Sequence, residues 1–115
     1  MVRLNNMQFY GYHGCLEHEQ KDGNWFRVDL AYDYDMRKAA RTDDLQFAVD
    51  YRQVYELIRD EMAIPAQLLE HLANRMLDQI VNHFPMIEYA ELTVTKLNPP
   101  FDGRVESTSV TVVYE

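Results

Sequence analysis

Apolar and polar positions alternate from Trp25 to Met36. Phe26, Val28, Leu30, Tyr32 and Tyr34 fall on one face, and Trp25, Arg27, Asp29, Ala31, Asp33 and Asp35 on the other. A period of two belongs to a half-buried strand, so a long strand is predicted there, after a first strand from Val2 to about Tyr10. The period then lengthens. Tyr51, Val54, Tyr55, Ile58 and Met62 fall at i, i+3, i+4, i+7 and i+11, the apolar face of a helix. Asp50 and Gln53 have the spacing of a capping box at its start. Pro65 suits the opening of a second helix, whose stripe is Leu69, Leu72, Met76, Ile80 and Phe84 and whose stop is Pro85. Glu91 to Leu97 and Val105 to Tyr114 read as two further strands, separated by the Asn98-Pro99-Pro100 and Asp102-Gly103 turns. The order strand, strand, helix, helix, strand, strand implies an α+β fold: a four-stranded antiparallel sheet with two helices on one face. Such a sheet has two open edges and one uncovered face. Open edges are a pairing hazard, so an oligomer joined edge to edge is expected.

The chain has 115 residues, without repeats, low-complexity segments or linkers, and a single domain spanning 1–115 is expected. Its 8 Tyr, 5 Phe and 1 Trp carry enough buriable area to exclude disorder. The balance of 19 acidic against 11 basic residues gives a net charge of −8, which disfavours a nucleic-acid partner. One cysteine excludes an internal disulfide, no apolar run is long enough for a membrane span, and the N-terminus lacks the apolar stretch of a signal peptide. A cytoplasmic location is expected.

Four features carry candidate chemistry. Phe9-Tyr10-Gly11-Tyr12-His13-Gly14 ends a strand in an aromatic, glycine-rich turn. His13, Cys15 and His18, with Glu17 and Glu19, come nearest to a metal cluster, but they lack a paired ligand frame and no metal is expected. Lys96 shares the apolar face of Leu92 and Val94. Either it snorkels to solvent, or it sits desolvated as a lysine base or nucleophile does. Glu70, in the first turn of the second helix, is either a favourable partner of the helix dipole or a carboxylate set to take two N–H donors from a ligand. Tyr51 opens the first helix, where core packing is the simpler reading. Asp33, Asp35, Asp43 and Asp44 read as a solvated surface.

In order along the chain stand Phe9-Tyr10-Gly11-Tyr12-His13-Gly14, Glu19, Gly23, Asp29, Ala40-Arg41-Thr42-Asp43, Tyr51, Leu69-Glu70-His71-Leu72-Ala73 and Thr95-Lys96-Leu97-Asn98-Pro99-Pro100. Together they resemble the dihydroneopterin aldolases of folate biosynthesis, over nearly the whole chain. The resemblance implies the tunnelling fold, ββααββ, with four subunits joining their sheets into a barrel and two such rings stacking as an octamer. It implies cleavage of 7,8-dihydroneopterin, a pterin, to 6-hydroxymethyl-7,8-dihydropterin and glycolaldehyde, with no cofactor. It further implies Lys96 as general acid/base, Tyr51 as the tyrosine that helps protonate the enol-like intermediate, and Glu19 near the substrate side chain. Glu70 and the Leu69 backbone would hold the 2-amino and N3 edge of the pterin. Asp50 stands where several members carry His, and Cys15 where a small residue such as Ala is frequent. The alternatives are a dihydroneopterin triphosphate 2′-epimerase of the same fold and a non-catalytic pterin-binding protein. A triphosphate tail calls for a basic pocket, which the acidic balance of this chain does not favour.

Overall fold

The computed structural model describes all of residues 1–115. The strands are β1 (Val2–Gly11), β2 (Asn24–Asp33), β3 (Tyr89–Leu97) and β4 (Ser107–Tyr114). The helices are α1 (Glu17–Asp22), α2 (Arg37–Thr42), α3 (Tyr51–Met62) and α4 (Leu69–His83), with a single 3-10 turn at Leu45–Phe47. The strands pair antiparallel in the order β1-β2-β3-β4, so β1 and β4 are the edges. The two long helices lie on one face, α3 towards β1 and α4 over β3 and β4.

The alternation of β2 determines which face they cover. Phe26, Val28, Leu30 and Tyr32 are buried beside Leu92 and Val94 of β3, against Val54, Ile58, Leu72, Met76 and Ile80 from the helices. The opposite face, with Trp25, Arg27 and Asp29, stays partly open. In β1 the pairing shifts between Leu4 and Met7: Asn6 adopts φ +55° and donates its N–H to Asp29 Oδ1 at 2.7 Å, forming a β-bulge on the edge strand.

The structure departs from the sequence pattern at several places. The second strand ends at Asp33, short of Met36, because the acids take over local hydrogen bonding: Asp33 Oδ1 accepts from Tyr34 N–H, and Asp35 accepts from both the backbone and the guanidinium of Arg37. The short helix α2 follows and stops at Asp43, which adopts φ +55°. Pro65 does not open the second helix, which begins at Leu69. The intervening backbone is already engaged: Ala66 N–H donates to His13 Nδ1 at 3.0 Å, and Ala66 C=O accepts from Gly14 N–H at 2.9 Å. Tyr51 and Tyr55 do not join the buried stripe of α3 but are 57% and 39% exposed, while Val54, Ile58 and Met62 are buried. The last strand begins at Ser107 rather than Val105. At the start of α3 Asp50 is the N-cap, but its side chain accepts from Arg52 N–H and no reciprocal contact from Gln53 completes a box.

Candidate active site

Lys96 lies on β3 opposite Phe26 of β2. The period of two turns its side chain to the helix-covered face, where it is 9% exposed. Of the two readings open from sequence, the buried one holds. Its ammonium donates to Glu19 Oε2 at 2.6 Å, and Glu19 is itself 8% exposed. Two buried charges are tolerable only when paired and hydrogen-bonded, and a short contact of this kind is charge-assisted.

Glu19 is fixed from its own side by α1. It is the third residue of that helix, and Oε1 accepts from Leu16 N–H at 3.3 Å, half of a capping box that leucine cannot reciprocate. Gly14 makes room for the carboxylate. A Cβ at Gly14, which adopts φ +150°, would lie 2.3–2.4 Å from the carboxylate atoms of Glu19. Beyond Lys96 the chain is strapped to β2 by Asn24, whose Nδ2 donates to Leu97 C=O at 2.6 Å.

His13, which with Cys15 and His18 comes nearest to a metal cluster in the sequence, has both ring nitrogens in use. Nε2–H donates to Met62 C=O at 2.9 Å and Nδ1 accepts from Ala66 N–H, which defines one neutral tautomer. The ring is 1% exposed, and its pKa is lowered to about 4, chiefly by burial, against the carbonyl of Met62, with Arg75 and Lys96 adding to the depression. His13 thus joins the end of α3 to the approach to α4. Cys15 is exposed, its thiol 3.4 Å from Gln67 C=O. No group of three His, Cys, Asp or Glu side chains is disposed to hold a metal ion.

The joint between the 13–15 turn and residues 66–67 brings the beginning of α4 to the Lys96 end of the sheet. Leu69 is buried there, and Glu70 is exposed in the first turn. Lys96 and Glu19 are in contact there, and α4 begins three residues beyond the Ala66 that bonds the 13–14 turn. Tyr51 stands apart. It follows Val49, whose C=O accepts from the Tyr32 hydroxyl at 3.4 Å, and Tyr32 lies six residues along β2 from the Phe26 that pairs with Lys96. Tyr51 itself lines a hollow with Leu4, whose partner Leu30 lies four residues along β2 from Phe26. At about 3.3 Å per residue it stands on the order of 13 Å from Lys96 along the sheet, towards β1 and not β3. Sequence reading did not anticipate α1, the Gly14 cradle or the Asn24 strap, because each acts through a contact with another segment. The visible signals were a glycine after His13 and a glutamate three residues beyond Leu16.

A family model described as dihydroneopterin aldolase matches residues 2–113. The dihydroneopterin aldolase of Bacillus subtilis (strain 168) is 34% identical over 112 residues, covering 96% of this chain and 93% of that protein. Among solved structures, Escherichia coli dihydroneopterin aldolase in complex with neopterin superposes with a TM-score of 0.91 at 18% identity, covering 99% of this chain and 97% of that one. The dihydroneopterin aldolase of Burkholderia thailendensis bound to guanine gives a TM-score of 0.79 at 15% identity, covering 98% and 88%. At those identities the two superpositions establish the fold, and the sequence matches establish kinship. The chain belongs to the dihydroneopterin aldolase family.

Proposed function

We propose that this protein cleaves the C1′–C2′ bond of 7,8-dihydroneopterin, releasing glycolaldehyde and 6-hydroxymethyl-7,8-dihydropterin, by general acid/base catalysis without a metal. The observation that carries the reading is the buried Lys96–Glu19 pair, a proton donor and acceptor 2.6 Å apart at the end of a sheet. The 2′-hydroxyl loses its proton as C2′ becomes the carbonyl of glycolaldehyde. The electron pair of the C1′–C2′ bond forms a C1′=C6 double bond, and N5 of the former N5=C6 imine takes a proton. Protonation at C1′ and loss of the N5 proton then give the hydroxymethyl product. The imine is a sufficient electron sink, so the chemistry needs neither a Schiff base nor a Lewis acid.

Lys96 serves the 2′-hydroxyl and N5, through water, and Glu19 lies beside the substrate side chain and shares the proton of Lys96. Glu70, with the Leu69 backbone, takes the 2-amino and N3 hydrogens of the ring. The equivalent amino, N–H and oxo edge is common to neopterin (2-amino-4-oxo) and guanine (2-amino-6-oxo), the ligands of the two solved structures. Tyr51 delivers the C1′ proton from a neighbouring copy. Its distance from Lys96 within one chain and the unpaired edges β1 and β4 support an assembly in which sheets continue from copy to copy, a ring of four that stacks in pairs.

Product analysis with 7,8-dihydroneopterin, with and without exhaustive chelation, tests the reading. Equal amounts of glycolaldehyde and hydroxymethyldihydropterin are expected in both cases. Formation of the 2′-epimer alone, or binding without turnover, would replace it, and zinc-rescued loss on chelation would overturn the metal-free route.

A further inference from the structure

Asp50 is the N-cap of α3, and Tyr51 is the first helical residue. Asp50 Oδ1 accepts from Arg52 N–H at 3.0 Å, its C=O accepts from Gln53 N–H and Val54 N–H, and its carboxylate is gripped by the Arg52 guanidinium at 3.2 and 3.3 Å. The residue before it, Val49, is 4% exposed and held by the Tyr32 hydroxyl. Tyr51 thus stands between an anchored residue and a capped turn, with its own ring 57% exposed. An exposed side chain takes its direction from its backbone, and the backbone of a first helical turn is held by its cap.

We propose that Asp50 is a positioning residue for the reaction: its capping contact aims the Tyr51 hydroxyl at the substrate. The inference rests on the role given to Tyr51 above. It assigns the effect to the acceptor oxygen that holds Arg52 N–H and not to the ion pair with the Arg52 side chain. A proton donor displaced by as little as 1 Å loses a large part of its rate contribution, while substrate held by Glu19, Glu70 and Lys96 binds as before.

Steady-state turnover of 7,8-dihydroneopterin separates these roles, with melting temperature measured in parallel. Asp50→Ala lowers kcat on the order of tenfold and leaves KM within about twofold. Asp50→Asn and Asp50→Ser, which keep an acceptor oxygen, retain kcat within about threefold, as does Arg52→Ala, which keeps the cap and removes the guanidinium. Where Asp50→Ala does not fold, Asp50→Gly supplies the same readout, because glycine suits the cap backbone but has no acceptor. Wild-type kcat in the Ala or Gly variant, alongside an impaired Tyr51→Phe, overturns the assignment, as do Asn and Ser variants as slow as Ala. A fully active Tyr51→Phe removes the role of Tyr51 itself and this inference with it.

Discussion

The joint made by His13 gives the fold a stability that depends on pH, and its size follows from the structure. The buried ring is neutral, with Nδ1 committed to accepting from Ala66 N–H. Protonation would place a charge in the core and turn that acceptor into a donor facing another donor. The group therefore has a folded pKa of about 4 against an ordinary 6.5. Between these values the unfolded chain binds the proton and the folded one does not. The contribution is complete above pH 6.5, declines as pH falls below it, and is exhausted at about pH 4. A difference of that size corresponds to about 3 kcal/mol, of which about 2 kcal/mol is lost by pH 5. The exposed Asp35, whose pKa is held near 2 by Arg37, contributes its loss only at lower pH, so the interval from 7 to 5 isolates the histidine. Urea unfolding at fixed protein concentration, at half-unit steps of pH, reads the effect as a falling midpoint. The same series on His13→Gln, which keeps a donor for Met62 C=O and cannot titrate, is expected to be flatter by the stated amount. A wild-type midpoint level from pH 7 to 5, or an equal slope in the variant, would refute the reasoning.

Three further outcomes concern the chemistry. Lys96→Ala lowers kcat by roughly 10²–10⁴-fold while pterin binding is largely kept, and borohydride traps no adduct; a covalent adduct at Lys96 or near-normal kcat would withdraw its role. Glu70→Ala weakens binding of a bare pterin by on the order of 10–100-fold, read by fluorescence titration, whereas unchanged affinity would leave Glu70 only its place at the helix N-terminus. Tyr51→Phe and Lys96→Ala homo-oligomers are each poorly active, but after co-refolding in equal amounts the activity per site rises towards roughly a quarter of wild type. The same proteins mixed without unfolding are the control, and no gain after verified subunit exchange would put both residues to work within one chain.

What the sequence makes legible is whatever repeats along it. β2 shows its alternation over many residues, and α4 shows four buried positions on one stripe, so both could be read directly. The helices α1 and α2, at six residues each, complete too few turns to display a stripe. Pro65 misleads because its favourable start is overridden by Ala66, whose backbone is already bound to the 13–14 turn. Tyr51 and Tyr55 mislead for a different reason. Their apolar rings fit the helix period, but the face they occupy is left open by this chain. Half of the Lys96–Glu19 pair could be seen in the strand pattern of Lys96; its partner lies 77 residues earlier, and nothing local to either residue tells that the two meet.

The bulge in β1 bears on how faithfully copies of this chain could join. Partners across a sheet edge slide only in whole steps of about 3.3 Å, and each single step exchanges the two faces of the incoming strand. A straight edge offers many such steps that look alike. The kink at Asn6, locked to Asp29, makes one stretch of this edge unlike every other and so acts as a fiducial mark. In an assembly that completes its site across the edge, Tyr51 would then arrive either in place or displaced by a full residue, with no graded error between. The accuracy of the chemistry would be inherited from a counting rule, written in a few residues of β1.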